Sequence, residues 1–191
     1  KEFIINNTDK DSKNALIEHT FGTKVTVEAA KCLKFTNGKF KINGDLIVKS
    51  GWTQTVTGNG TQSFLTIVGN VEMKEGATDF AVQANSTVAA TEKTTSDVTI
   101  NGNVNLEKGT QFNVAEKAAV SLGANFTIGE GATATFNYSS YTNVQNVIAV
   151  NGTFTRILSS GVATANPAKV WCQSYTTGAK AVFTNGYPEM R

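Results

Sequence analysis

The chain has 191 residues and a formal net charge of +2, and its 17 lysines and arginines are scattered, with only Arg156 and Arg191 as arginines. That length supports one domain with a sizeable core, and the even spread of charge excludes the clustered basic face of a nucleic-acid groove. Two cysteines do not make a disulfide framework, no apolar run approaches a membrane-crossing helix, and abundant Thr, Asn, Gly, Ala and Val with only two prolines fit short strands joined by turns.

Residues 1–22 read as an N-terminal cap. The chain starts at Lys1 without Met or a leader and ends on Arg191, as expected of a segment trimmed from a longer precursor. Phe3-Ile4-Ile5 is a short apolar strand and Asn6 to Asp11 a polar turn. Ser12 to Glu18 has the pattern of a two-turn helix with Asp11 or Ser12 as its N-cap. His19, the single histidine, is expected under this cap as a filler, with no Ser or Cys motif beside it that would make it a base.

From residue 23 a pattern recurs: apolar, any, apolar, any, small, polar, apolar, any, apolar. The copies are Phe40 to Val48, Leu65 to Met73, Val98 to Leu106, Val120 to Ile128 and a poorer Ile148 to Arg156, with a degenerate His19 to Val27 ahead of them. Repeats tens of residues long mark a solenoid, whose units bury their apolar edges only by stacking. The frame advances through Lys24, Asp45, Asn70, Asn103, Asn125 and Thr153 in uneven steps, as when three short strands per coil are joined by loops of different length. Residues 83–97 read as a loop thrown out of the coil. Alternation predicts one internal column of Ile42, Ile67, Ile100, Leu122 and Val150. Gly44, Gly69, Gly102 and Gly152 mark a corner where positive φ is expected, and the Asp or Asn that follows three of them is expected to build a side-chain ladder. A second corner follows Gly51, Gly76, Gly109 and Gly131, beyond which Phe80, Phe112 and Phe136 are expected to stack. The same alignment sets Lys74 over Glu107, and Glu75 over Lys108 over Glu130, as a solvated ion ladder. Cys32 and Cys172 fall about 24 Å apart at a coil spacing of about 4.8 Å, too far to bond to each other, and both thiols are expected to be mostly buried.

Six Asn-Gly pairs also suit the hairpins of an antiparallel sandwich. Three of them, Asn43-Gly44, Asn101-Gly102 and Asn151-Gly152, share one repeat position, which hairpins give no reason for, and this favours the solenoid. Over residues 23–160 the phrasing apolar-x-apolar-x-Gly-Asn-apolar-x-apolar-x-x-Gly resembles right-handed parallel β-helix proteins of the pectin-lyase-like superfold, in particular secreted or surface proteins of Gram-negative bacteria. The resemblance implies an all-β, single-domain right-handed parallel β-helix of about six coils, with residues 161–191 forming a C-terminal coil and cap.

That superfold hosts lyases, hydrolases, tailspikes and adhesins, so the fold does not name an activity. Its lyases imply clustered carboxylates holding Ca²⁺ and its hydrolases adjacent Asp residues, but none of Asp9, Asp11, Asp45, Asp79 and Asp97 recurs at neighbouring coil positions. No catalytic residue, metal ligand set or cofactor motif is assigned. All four tyrosines and Trp171 lie in the last third, and Tyr138, Tyr141, Tyr175 and Trp171, with Trp52 as a second exposed aromatic, are the candidate ligand-binding residues. The alternative role for the C-terminal aromatics is to cover the open end of the stack. The expected function is a non-catalytic extracellular or cell-surface structural or adhesive module. Its expected partner is a surface glycan or another surface or secreted protein, with no nucleic acid and no membrane insertion. The alternatives are a polysaccharide lyase, glycoside hydrolase or inactive relative, and a trimeric phage-type fibre segment.

Overall fold

The computed structural model describes residues 2–6, 9–13, 15–28, 32–54, 63–84, 95–158 and 166–191. Among them there is no helix, and 23 strands form three sheets in which every neighbouring pair is parallel and every third strand is adjacent. The first sheet runs from Glu2–Asn6 through Cys32–Thr36, Trp52–Gln54, Phe80–Val82, Gln111–Val114, Thr133–Phe136 and Thr153–Arg156 to Val182–Thr184. The second runs from Glu18–Phe21 through Gly38–Ile42, Ser63–Ile67, Val98–Ile100, Ala119–Leu122, Tyr141–Val144 and Lys169–Cys172 to Glu189–Met190. The third holds Lys24–Val27, Asp45–Val48, Val71–Met73, Val104–Leu106, Phe126–Ile128, Val147–Val150 and Ser174–Thr177. A turn of chain therefore contributes one strand to each sheet. Eight such turns begin, more than the six expected, because the segments read as caps also supply strands.

Parallel pairing excludes the sandwich. Alternation does what the pattern predicts: Val120 and Leu122 face the core and Ser121 does not, and the same holds for Leu65, Ile67 and Thr66. Down the second sheet Ile42, Ile67, Ile100 and Leu122 stack in register, and the fifth member is Val144 rather than Val150. Val150 stacks on Ile128 in the third sheet. The poor fifth copy was thus placed one strand late, since Asn151-Gly152 sits at the corner between third and first sheets and not at the one used by Asn43-Gly44 and Asn101-Gly102.

The corner ladder is present. Asp45 Oδ1 accepts the Asn70 N–H at 2.7 Å, Asn70 Oδ1 that of Asn103 at 2.9 Å, Asn103 Oδ1 that of Asn125 at 3.1 Å, and Asn125 Oδ1 that of Val147 at 3.3 Å. The preceding glycines are there for space, not for φ. A Cβ on Gly102 would lie 2.5 Å from the Gly69 carbonyl oxygen, while positive φ is found at the second corner, in Gly76, Gly109 and Gly131. There a four-residue turn closes with the Ala77, Thr110 and Ala132 N–H bonded three residues back. The same turn recurs between the first and second sheets with Lys117 and Ser139 in the left-handed place, at φ 59° and 58°.

Aromatic rings run through the core from one end to the other. Phe21, Phe35, Trp52, Phe80, Phe112, Phe126, Phe136, Phe154 and Phe183 follow one another with centroids 5.1 to 6.4 Å apart. Phe80 and Phe112 stack as expected, but the next register position is Ala134, and Phe136 lies two residues on, across from Val114.

Among the described residues of the N-terminal end there is no helix. Asp11 Oδ1 accepts the N–H groups of Lys13 and Ala15, and Lys10 and Leu16 pair as an antiparallel bridge. Two turns of isolated helix are marginal, whereas this tight turn satisfies two donors at once. His19 is not a filler: its side chain is 47% exposed, with Nε2 3.3 Å from Asp9 Oδ2. Cys32 lies in the first sheet near the start of the stack and Cys172 is buried in the second near its end, and they are not bonded to each other.

Candidate functional site

The outer face of the second sheet carries the one place where the candidate aromatics meet. Register sets Tyr141 beside Lys169 and Asn143 beside Trp171, with Glu189 next in line. Because side chains alternate, all five leave the same side of the sheet, while Thr142 and Val170 between them are buried. The Tyr141 and Trp171 rings meet edge to face with centroids 4.9 Å apart. Trp171 Nε1 donates to Glu189 Oε2 at 2.8 Å, the Arg191 guanidinium lies over the Trp171 ring, and Lys169 Nζ is 5.9 Å from its centroid. Burial pushes the Tyr141 hydroxyl above its ordinary pKa, opposed by the Arg191 charge and its hydrogen bond to the hydroxyl.

The floor under this cluster is held by Arg156. Its Nε and Nη2 donate to the Ala168 carbonyl at 3.0 and 2.6 Å, Nη1 to the Tyr187 carbonyl at 3.0 Å, and Nη2 to Glu189 Oε1 at 2.7 Å. Its register partner in the preceding turn is the buried Phe136, so in that column a fork of donors follows the ring, while Phe154 and Phe183 carry the aromatic series onward. Arg156 thereby ties the end of the first sheet to Glu189, which in turn orients Trp171.

The other candidates lie elsewhere. Tyr138 sits in the turn before Tyr141 and donates its hydroxyl to Glu116 Oε2 at 2.7 Å. Tyr175 belongs to the end of the stack, where it packs with Phe183 and Tyr187 at 6.2 and 6.1 Å, as the covering role anticipates. Trp52 is a correction: it is 0% exposed, wedged between Phe35 and Phe80, and its Nε1 finds no acceptor among the described residues. The sequence alignment matched Trp52 to Ala77, but the turn after Lys49 is three residues shorter than the one after Lys74, so Trp52 pairs with Phe80. Lys169, Glu189, Arg191 and Asn143 were missed. Lys169-Val170-Trp171 alternates visibly, yet only the register shows that it stacks on Tyr141-Thr142-Asn143.

Among the acidic residues, Lys74 Nζ meets Glu107 at 2.9 Å as expected and also Glu72 at 2.8 Å, and these contacts raise the Lys74 pKa and lower that of Glu107. Among the described residues no group of three or more His, Cys, Asp or Glu converges as a metal site. Comparison with protein-family models, curated proteins and solved structures finds no match to this chain.

Proposed function

We propose that this chain is a right-handed parallel β-helix acting as a non-catalytic extracellular or cell-surface module that binds an acidic glycan on the outer face of its second sheet. The strong preference of parallel strand connections within one sheet for the right hand supports this sense. One observation carries the binding reading, namely the half-buried Tyr141 and Trp171 rings flanked by Lys169 and Arg191 on the outer face of the second sheet. Aromatic rings supply stacking area for a sugar, Asn143 and Glu189 offer polar partners for its hydroxyls, and the two cations suit a carboxylate or sulfate.

The test is a glycan array followed by calorimetry, comparing acidic with neutral chains. Trp171→Ala should weaken binding several-fold, from a stacking contribution of about 0.5 to 1.5 kcal/mol, Lys169→Ala should weaken binding of acidic chains through loss of its charge, and Glu130→Gln, on the corner between third and first sheets, should leave binding unchanged. Equal binding of neutral chains would remove the role of the cations. Shortening of the polysaccharide during the assay would move the protein to the lyase or hydrolase reading.

A further inference from the structure

Six asparagines stand directly before glycine, and five of them, Asn37, Asn43, Asn101, Asn151 and Asn185, lie among the described residues. Each such step sets a side-chain amide carbon beside the backbone nitrogen of a residue with no Cβ to shield it. Folding decides whether the two can meet, because a hydrogen bond on either group must break before the nitrogen attacks. Three of the five are held through the side chain. Asn37 Nδ2 donates to Asn6 Oδ1 at 2.7 Å, Asn185 Nδ2 donates to the Arg156 carbonyl at 3.0 Å, and Asn151 Oδ1 accepts the Lys180 N–H at 3.1 Å. Asn101 is held through the nitrogen, since the Gly102 N–H donates to the Gly69 carbonyl at 3.1 Å. Asn43 differs from all four. It is exposed, and among the described residues neither its side-chain amide nor the Gly44 N–H has a hydrogen-bond partner. The cause lies one turn earlier: Thr23 is the register match of Gly44, but its carbonyl takes the Asp45 N–H instead, at 3.2 Å.

We propose that Asn43 is a site of spontaneous covalent modification, at which the Gly44 nitrogen closes on the Asn43 side chain to give a succinimide that water opens to aspartate or isoaspartate. In the first step the bond from Gly44 N to Asn43 Cγ forms as the Cγ–Nδ2 bond breaks. The departing Nδ2 takes the Gly44 proton and leaves as ammonia. In the second step water adds to one of the two ring carbonyls, and nothing is oxidised or reduced. Addition at Cγ restores the ordinary backbone and leaves aspartate, whereas addition at the Asn43 main-chain carbonyl leaves isoaspartate, whose backbone runs through the former side chain and is one carbon longer. That extra carbon falls directly ahead of Gly44 and Asp45. The Gly44 carbonyl accepts the Gly69 N–H at 2.9 Å, and Asp45 Oδ1 accepts the Asn70 N–H at 2.7 Å as the first rung of the corner ladder. Isoaspartate at position 43 therefore loosens the ladder where it begins.

Peptide mapping by mass spectrometry, on folded protein held at mildly alkaline pH, reads each Asn-Gly pair separately. Asn43 should convert at least about fivefold faster than Asn37, Asn101, Asn151 or Asn185, the rate equivalent of the one hydrogen bond that each of those must break first. In concentrated urea the gap should close. Asn43→Gln moves the amide carbon out of reach of a five-membered ring, and it should abolish conversion at this position with an unchanged circular dichroism spectrum. The isoaspartate form, separated by chromatography, should exchange its Asn70 amide hydrogen faster than the Asn43→Asp variant, which carries the same charge on an ordinary backbone. Conversion of any of the other four as fast as Asn43 in the folded protein, or conversion at Asn43 in urea alone, would overturn the assignment. Equal Asn70 exchange in the isoaspartate form and in Asn43→Asp would overturn the loosening of the ladder.

Discussion

A single side-chain oxygen per turn fixes the corner between the second and third sheets. The Asn103 amide oxygen takes the Asn125 N–H, and its own N–H is taken by Asn70, so each rung both gives and receives. Removing one acceptor strands a partly buried N–H, which costs about 1 to 3 kcal/mol. Asn103→Ala should lower the unfolding free energy measured in urea by that amount while Asn103→Asp, which keeps an acceptor, loses much less; equal losses would mean that the ladder contributes nothing. Lys117 and Ser139 occupy the turn position that Gly76, Gly109 and Gly131 fill at the other corner, at a conformational cost of about 1 to 2 kcal/mol for a residue with a Cβ. Lys117→Gly is therefore expected to raise stability in thermal melts, by less than that cost because glycine has more freedom in the unfolded chain. Asp79 responds to pH in the opposite sense to an ion-paired carboxylate. Burial, partly offset by the Asn113 amide at 2.6 Å, lifts its pKa, so the folded form holds the proton more tightly than the unfolded chain. Its contribution is present below the ordinary carboxylate pKa and is lost as pH rises through the raised value. Asp79→Asn should raise the urea midpoint at about pH 7 more than at about pH 4, and a uniform shift at both would contradict the assignment.

At the scale of the strand, packing rather than local preference decides which side chain goes where. The first four full copies were legible because their corner, a small residue before Asp or Asn (Gly in three, Ala124 in the fourth), coincides with their alternation. The fifth was not, because Asn151-Gly152 imitates that corner at a different vertex, and a period of two looks alike on all three sheets. Trp52 went astray for a related reason: a turn three residues shorter shifts the alignment, and nothing local in Gly51-Trp52-Thr53 distinguishes an exposed corner from a core position. The ring between Phe35 and Phe80 stabilises the stack by area and loses some of that gain through its unmatched Nε1. Trp52→Phe should thus cost far less than Phe112→Ala, for which a deleted core ring costs about 3 to 5 kcal/mol. Equal destabilisation of the two in chemical unfolding would show that Nε1 has a partner after all.

Over the whole molecule, the sequence pattern revealed coils and the C-terminal aromatic bias, but not which aromatics share a face, because that depends on pairings separated by a full turn of chain. Tyr141 and Trp171 come together only through the register of Tyr141–Val144 with Lys169–Cys172. The same architecture dictates how stability is distributed. Each turn contacts mainly the turns before and after it, so stability is close to a sum of unit and interface contributions, and the end units have one interface instead of two. The covered strands Val104–Leu106 and Phe126–Ile128 lie between neighbours on both sides, whereas Glu2–Asn6 and Glu189–Met190 end their sheets. Native-state hydrogen exchange should accordingly show protection falling from the middle turns toward both ends, with Glu189–Met190 opening at the lowest free energy. Destabilising the middle through Phe112→Ala should lower protection there while leaving the end strands near their original rates, because they already open independently. Uniform protection along the stack, moving as one unit in the variant, would mean that the turns unfold together and that the nearest-neighbour description fails.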